Sequence, residues 1–198
     1  MKRKLGRRQL LTGFVALGGM AITAGKAQAS LHQPGSDFLH WGNVKEKRLA
    51  FRNVHTNERI DARFFGKHGY DDEGLAEINH ALRDWRTGDI TEVDTDLLNL
   101  LVKIRDRLDI SANQPFDLIC GYRSPITNRR LHERRGRHSG VAVHSQHLLG
   151  KATDIAMPGV SLNHLRMAAE FDQQGGVGYY PEDGFIHVDT GPVRSWMG

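Results

Sequence analysis

Hydrophobic and polar positions along the chain follow two different periods, which predicts a domain that combines helices with strands. In three segments the apolar residues recur every three or four positions, as in amphipathic helices. The predicted helices span about residues 72–88, 95–108 and 162–172, with Asp71 or Asp72 and Ser161 available as N-caps. We expect these helices to build the core, and we assign them no chemistry.

Shorter apolar or alternating segments predict strands. Residues 48–65 alternate around the turn sequence His55–Glu58, which is typical of a hairpin. Ser124 and Pro125 favour the start of a short helix, and residues 129–140 are predicted to form an exposed loop. Because most helices precede most strands, we predict an α+β fold: a single small domain with a central, mostly antiparallel sheet flanked by helices. The further strands are predicted at Phe116–Cys120, Ala152–Ala156, Val177–Tyr180 and Phe185–Val188.

The first 29 residues have the composition of an export signal. A basic start is followed by the apolar stretch Leu10–Ala24 and by the small-residue sequence Ala27-Gln28-Ala29, which predicts cleavage after Ala29 and a periplasmic location. Arg7-Arg8 resembles the twin-arginine signal and makes the twin-arginine export machinery an expected partner; an ordinary signal peptide is the alternative. The apolar stretch is short for a spanning helix, so no stable membrane insertion is expected. Residues 30–46 are predicted to form an N-terminal arm.

Net charge argues against a nucleic-acid partner once its location is considered. The chain carries +4, but six basic residues and no acidic ones lie in the first 29 positions. The remaining 169 residues carry 21 basic and 23 acidic side chains, so no nucleic acid is expected. Cys120 is the only cysteine, which excludes an intramolecular disulfide and leaves the core or a metal to stabilise the fold.

Histidine and aspartate residues late in the chain are the strongest candidates for chemistry. His147 and Asp154 lie seven residues apart, which spans ~10.5 Å along a helix and ~23 Å along a strand. They can share an ion only if the chain reverses between them, and Gly150 is where a positive φ costs least. His187, on a neighbouring strand, would complete a His/Asp/His set with a fourth position open for water, as in catalytic zinc sites. Alternatively, His147 is a surface residue, Asp154 a strand-end cap and His187 a half-buried sheet residue.

Three motifs carry a resemblance to a known family. They are Ser-x-His-x-x-Gly-x-Ala-x-Asp at residues 145–154, Gly-Gly-Val-Gly-Tyr-Tyr-Pro at 175–181 and Phe-Ile-His-Val-Asp-Thr-Gly at 185–191. Together with Asn53–Thr56 and Gly121–Ser124, they resemble the zinc peptidases of the D-alanyl-D-alanine-peptidase-like superfamily, and within it the murein endopeptidases. The resemblance implies that residues 47–198 form a zinc peptidase domain. It also implies that His147, Asp154 and His187 bind Zn²⁺, and that peptide cross-links of peptidoglycan are the substrate.

Arg123 is the candidate for charge stabilisation. It follows the predicted strand Phe116–Cys120, and an arginine in a similar place stabilises the oxyanion in carboxypeptidase-like relatives. The alternative for Arg123 is a solvated turn residue. Ser145 is a candidate for contacting substrate or orienting a ligand. Tyr179 and Tyr180 are candidates for the cleft wall, with core packing expected for at least one of them.

The general base is left open by the sequence. Carboxypeptidase-like relatives commonly carry an acid three residues before the second zinc histidine, and Gly184 occupies that position here. Asp183 and Asp189 are the nearby candidates to accept a proton, and Asp189 could instead anchor a metal ligand.

The expected function is therefore that of an exported zinc metallopeptidase acting on cell-wall cross-links. A non-catalytic, zinc-containing peptidoglycan-binding module is the alternative, and Gly184 is its best support. The sequence leaves open whether the D-alanyl–diaminopimelate or the diaminopimelate–diaminopimelate bond is cleaved.

Overall fold

The computed structural model describes residues 45–135 and 142–198. The predicted signal peptide, nearly all of the N-terminal arm and residues 136–141 of the predicted loop lie outside the described residues. The helices are α1 (Asp72–Ala81), α2 (Thr95–Arg107), α3 (Pro125–Arg135) and α4 (Leu162–Glu170), and a short 3-10 helix spans Gln146–Leu149. The strands are β1 (Lys47–Asn53), β2 (Arg59–Gly66), β3 (Gly69–Tyr70), β4 (Phe116–Cys120), β5 (Ala152–Ala156), β6 (Gly176–Tyr180), β7 (Phe185–Asp189) and β8 (Arg194–Met197).

All eight described strands form one sheet in the order β3-β2-β1-β4-β5-β7-β6-β8. Five neighbouring pairs are antiparallel, whereas β1 with β4 and β6 with β8 are parallel. The predicted α+β fold with a mostly antiparallel sheet is confirmed. The predicted hairpin is β1 and β2, joined by a turn in which Asn57 takes a φ of 57°.

The hydrophobic core lies between the sheet and the helices, as the periodicity predicted. Helix α2 contributes the stripe Leu97, Leu101 and Ile104, each at most 1 % exposed. These side chains join a single cluster with apolar residues of the central strands, including Leu118 of β4 and Ile186 of β7. The cluster holds the central strands in fixed positions, and those strands carry the site described below.

Two predicted boundaries were wrong, for identifiable reasons. Helix α1 ends at Ala81 instead of Gly88, because the segment after β4 packs against its end: Tyr122 N–H donates to Leu82 O at 2.6 Å. The expected loop at 129–140 is helical as far as Arg135, because α3 is fixed at its first turn, where Ser124 Oγ accepts from Thr127 N–H at 3.3 Å. The remainder of α3 has no apolar stripe, so periodicity gave no signal.

Strand β8 was also not predicted. Its sequence, Arg-Ser-Trp-Met, does not alternate between apolar and polar positions, and it lies at the edge of the sheet.

Among residues 45–135 and 142–198, no helix is both long enough and apolar enough to cross a membrane.

Candidate metal centre

The site is built on one row of residues that runs across the sheet. Cys120 of β4 lies opposite Asp154 of β5, Asp154 opposite His187 of β7, and His187 opposite Gly178 of β6. The register between β4 and β5 shifts between Leu118 and Cys120, and such an irregularity re-aims the side chains that follow it. Adjacent strands therefore place a thiol, a carboxylate and an imidazole side by side.

His147 reaches this row from the 3-10 helix that precedes β5. Ser145 caps that helix, accepting from His147 N–H at 3.3 Å. Gly150 ends it with a φ of +65°, the chain reversal that the sequence predicted between His147 and Asp154. A Cβ at Gly150 would also lie only 2.6 Å from the carbonyl oxygen of Glu92, so both φ and space require glycine there.

Three donor atoms from the predicted ligands converge on one point. The distances are 3.1 Å between His147 Nε2 and His187 Nδ1, 2.9 Å between His187 Nδ1 and Asp154 Oδ1, and 3.2 Å between His147 Nε2 and Asp154 Oδ1. Ligand atoms of a tetrahedral zinc site lie about 3.3 Å apart, because each is about 2.0–2.1 Å from the ion. The triangle therefore fits one face of such a site closely, and all three residues are buried.

The hydrogen bonds behind the two histidines fix their tautomers. His147 Nδ1 lies 2.7 Å from the carbonyl oxygen of Gly121, and His187 Nε2 lies 2.9 Å from Asp189 Oδ2. Both partners only accept, so the neutral rings carry their protons there. His147 Nε2 and His187 Nδ1 then present lone pairs to the shared point. Two lone pairs and a carboxylate oxygen facing each other need a cation or a proton between them, so the donor set fits a metal.

Without a metal, protons would take its place. Burial opposes a charge on His147, but the negative charges on Asp154 and Cys120 outweigh it and raise the pKa of His147 to about 10. Burial likewise raises the pKa of Asp154, but His147 and His187 reverse the effect and hold it well below its usual range. Metal and proton therefore compete for the same pocket.

Asp189 is enclosed behind His187. It is fully buried and also accepts from Gly176 N–H at 3.1 Å and Gly191 N–H at 2.8 Å. Arg194 pairs with both of its oxygens, at 3.1 and 2.6 Å. Asp189 does not line the cleft, and these contacts favour its role as an anchor of His187 over a role as general base.

Cys120 was not considered as a ligand from the sequence. A donor atom from each of Cys120, His147 and Asp154 lies within 4.8 Å of the other two, and Cys120 is buried. The one sequence feature that could have suggested Cys120 as a ligand is its position at the end of the predicted strand β4. Its pairing with Asp154, however, depends on the register shift, which no sequence pattern reveals.

Arg123 lies beside the donor triangle and is 8 % exposed, so it is not a solvated turn residue. Its Nη2 is 3.7 Å from Asp154 Oδ2 and 3.7 Å from Cys120 Sγ, and its Nε is buried without a partner in the described part of the chain. Its backbone N–H donates to His147 O at 3.1 Å, which ties the segment after β4 to the 3-10 helix.

A cleft of about 580 Å³ opens over the donor atoms. Asp183 and His144 line it and are exposed, and each carries a group able to accept a proton. Tyr180 lines it beside Phe185, with ring centroids 4.6 Å apart, whereas Tyr179 packs against the core. Trp196, on the unpredicted strand β8, forms the neighbouring wall.

Trp196 has this place because Gly178 lies beneath it. A Cβ at Gly178 would lie 2.6 Å from the indole, so the glycine allows the ring to cover the row of donor residues. The indole centroid is 5.2 Å from that of His187, and its Nε1 donates to Tyr180 Oη at 2.9 Å. The result is a cleft with an aromatic wall on one side and charged groups at its base.

Comparison with known proteins places this geometry in a family. The family described as peptidoglycan L,D-endopeptidase MepK matches residues 42–196. The chain belongs to the MepK family. It is 41 % identical over 190 residues to peptidoglycan L,D-endopeptidase MepK of Escherichia coli strain K12, covering 96 % of each chain. It is 38 % identical over 192 residues to the probable MepK of Haemophilus influenzae, covering 97 % of this chain and 95 % of that one.

Membership of the MepK family confirms the resemblance to murein endopeptidases found in the motifs. The match begins before β1 and ends within β8, so the residues of the donor triangle and of the cleft lie within the matched length. No solved structure matches the chain.

Proposed function

We propose that this protein is a zinc-dependent peptidoglycan endopeptidase that hydrolyses cross-links between stem peptides in the periplasm. The convergence of His147 Nε2, Asp154 Oδ1 and His187 Nδ1 within 3.2 Å at the base of an open cleft carries the proposal. Membership of the MepK family supports the same substrate class.

His147, Asp154 and His187 would hold the zinc ion. The hydrogen bonds behind the two histidines favour this set. The carbonyl oxygen of Gly121 orients His147 and Asp189 orients His187, so each imidazole is held with its lone pair toward the ion. A zinc ion in this position supplies Lewis acidity for the scissile carbonyl and lowers the pKa of a water molecule. Cys120 lies beside the set and is not required to complete it.

The protein's own groups provide the remaining steps. Asp183 and His144 both line the cleft, and either can take the proton released when water attacks the amide carbonyl. Arg123 donates from the floor of the cleft toward the developing oxyanion. Its guanidinium lines the cleft and is held beside Asp154 and Cys120, so it stabilises negative charge without first reorganising.

The bond cleaved follows from stereochemistry and from the relatives. A D-alanyl–diaminopimelate link joins two D-centres, whereas a diaminopimelate–diaminopimelate link joins an L-centre to a D-centre. The curated relatives are named L,D-endopeptidases. We therefore assign the diaminopimelate–diaminopimelate cross-link as the substrate of this chain.

Export through the twin-arginine machinery completes the proposal. The Arg7-Arg8 pair and the cleavage sequence before Ser30 support it. That route carries folded proteins, which suits a metalloprotein that acquires its ion in the cytoplasm. Replacing Arg7 and Arg8 together by lysine should block periplasmic accumulation; normal accumulation would contradict the route.

The test of the proposed function uses two purified muropeptide dimers that differ only in their cross-link. The zinc-loaded protein should convert the diaminopimelate–diaminopimelate dimer to monomers and leave the D-alanyl–diaminopimelate dimer intact, as resolved by liquid chromatography. Cleavage of only the second dimer would contradict the assigned bond. Tight binding of both dimers without cleavage would favour the non-catalytic module.

A further inference from the structure

A second cavity, of about 450 Å³, opens beside the metal cleft. Arg86 and Leu131 line both cavities, so the two are continuous along one side. The remaining lining comes from α3, the helix that the sequence did not predict in full: Thr127, Arg130, Glu133 and Arg134. The chemistry of this second cavity is therefore dominated by three guanidinium groups.

Arg86 is held in place for binding. Its Cζ lies 4.2 Å from the ring centroid of Trp85, and Trp85 also stacks on His55 with centroids 4.1 Å apart and planes inclined by 20°. A guanidinium stacked on an aromatic face keeps its edge N–H groups available in fixed directions. Less rotamer freedom is therefore lost when it binds a planar anion.

A buried carboxylate fixes Arg86 relative to the metal cleft. Asp84, 1 % exposed, accepts from the backbone N–H of Arg86 at 3.0 Å with one oxygen. Its other oxygen accepts from Ser124 N–H at 3.0 Å and from Ser124 Oγ at 2.7 Å. Ser124 directly follows Arg123, so one carboxylate connects the segment that carries Arg86 to the segment that carries Arg123.

The three arginines lack acidic partners within residues 45–135 and 142–198. Elsewhere in the domain, Arg52 and Arg83 form ion pairs of 2.6 and 2.7 Å. Arg130 and Arg134 are four residues apart on α3, a spacing at which like charges repel on a helix. Glu133 lines the same cavity but pairs with none of the three, which leaves the cavity with an excess of positive charge.

We propose that Arg86, together with Arg130 and Arg134, forms a subsite that binds a free carboxylate of the substrate peptide next to the scissile bond. The proposal rests on the proposed function, because it takes the substrate to be a cross-linked stem peptide. Such peptides carry free carboxylates beside the cross-link, and a guanidinium binds a carboxylate through two parallel hydrogen bonds. The subsite would select the orientation in which the peptide enters the metal cleft.

The experiment compares two substrates and four variants of the zinc-loaded protein. One dimer carries free carboxylates, and the other has the same carboxylates converted to amides. Arg86→Gln and Arg130→Gln should raise KM for the free-carboxylate dimer about 10- to 100-fold with little change in kcat, because the contact is made equally in the ground and transition states. Arg86→Lys should recover part of the loss. Arg129→Gln, an exposed arginine on α3 outside both cavities, controls for the loss of one positive charge.

The amidated dimer separates this proposal from the proposed function. Wild-type protein should cleave it with a raised KM, and Arg86→Gln should cleave the two dimers with similar KM. An unchanged preference for the free-carboxylate dimer in Arg86→Gln, at wild-type zinc content and melting temperature, would overturn the subsite and leave the endopeptidase intact. If wild-type protein cleaves neither dimer, the proposed function itself fails.

Discussion

Asp189 Oδ2 lies 2.9 Å from Nε2 of His187, on the side of the ring that faces away from the donor triangle. The two residues are separated by one position on β7 and therefore share a face of the strand. Arg194 and two backbone N–H groups hold the carboxylate still. These contacts also keep the pKa of Asp189 well below its usual range, against the effect of burial, so it remains charged. Asp189 thus fixes which nitrogen of His187 is available to a metal.

Replacing Asp189 by alanine should weaken zinc binding about 10- to 100-fold, because His187 loses the acceptor that sets its tautomer and orientation. Competition with a zinc chelator measures the affinity. Asp183→Asn is the matched control, since it removes a carboxylate that lines the cleft without touching a donor residue. It should keep zinc affinity and, if Asp183 is the base, lose about 10²–10⁴ in kcat. Equal zinc affinity in wild type and Asp189→Ala would contradict the anchoring role.

Arg123→Ala should keep its zinc and its fold but lose kcat. Loss of one oxyanion donor costs ~10²–10³ in rate, and Arg123→Lys should recover only part because a point charge replaces a planar fork. Steady-state kinetics on the cross-linked dimer measure the change. A raised KM at constant kcat would instead assign Arg123 to binding a substrate carboxylate. Wild-type values of both parameters would contradict any role in the reaction.

Cys120→Ala should retain zinc at full occupancy, because the His/Asp/His set is complete without the thiol. The measurement is the absorption spectrum of the cobalt-substituted protein, in which a thiolate ligand produces an intense charge-transfer band. We expect that band to be absent from the wild-type protein. Its presence in wild type and loss in Cys120→Ala would show that Cys120 is a ligand and would contradict the three-residue set.

Asp84→Asn should lower the free energy of unfolding at pH 7 by about 1–3 kcal/mol, because the buried hydroxyl of Ser124 and the backbone N–H of Arg86 lose a charged acceptor. Burial alone would raise the pKa of Asp84, but hydrogen bonds from Thr127 and Ser124 lower it. A lowered carboxyl pKa stabilises the fold above the unfolded value of about 3.9 and loses that contribution as the pH falls through the folded value.

Urea unfolding of wild type and Asp84→Asn at several pH values tests this. Their difference in stability should be constant from pH 7 to about pH 5 and should shrink below about pH 4. Glu182→Gln, a change at an exposed turn residue, should show no comparable loss. A difference between wild type and Asp84→Asn that grows as the pH falls would contradict the assignment.

The sequence predicted the elements better than the contacts between them. Strands β4 and β5 were predicted with their observed bounds, because each is a short apolar segment between clear turn residues. The reversal at Gly150 followed from a steric argument that needs no tertiary information. The register shift that places Cys120 opposite Asp154 could not be predicted, because it depends on how two distant segments pair.

The second cavity could not be predicted from the sequence either. The arginine-rich sequence of α3 predicted a polar loop, because it contains no apolar stripe. Arg86 looks like a solvated residue until Asp84 and Trp85 are seen to fix it. The cavity itself forms where the segment of Arg86 meets α3, and the bonds between Asp84 and Ser124 that join them span forty residues and leave no periodic pattern in either segment.

The central claim, that the donor triangle holds a catalytic zinc ion, is tested most directly by one titration. The protein is stripped with a chelator, zinc is added back in sub-stoichiometric steps, and hydrolysis of the diaminopimelate–diaminopimelate dimer is followed at each step. We predict that activity is lost on stripping, rises linearly with zinc and reaches its plateau at one ion per chain, while His187→Ala stays inactive at every step. Full activity in the stripped protein, or wild-type activity in His187→Ala, would contradict the claim.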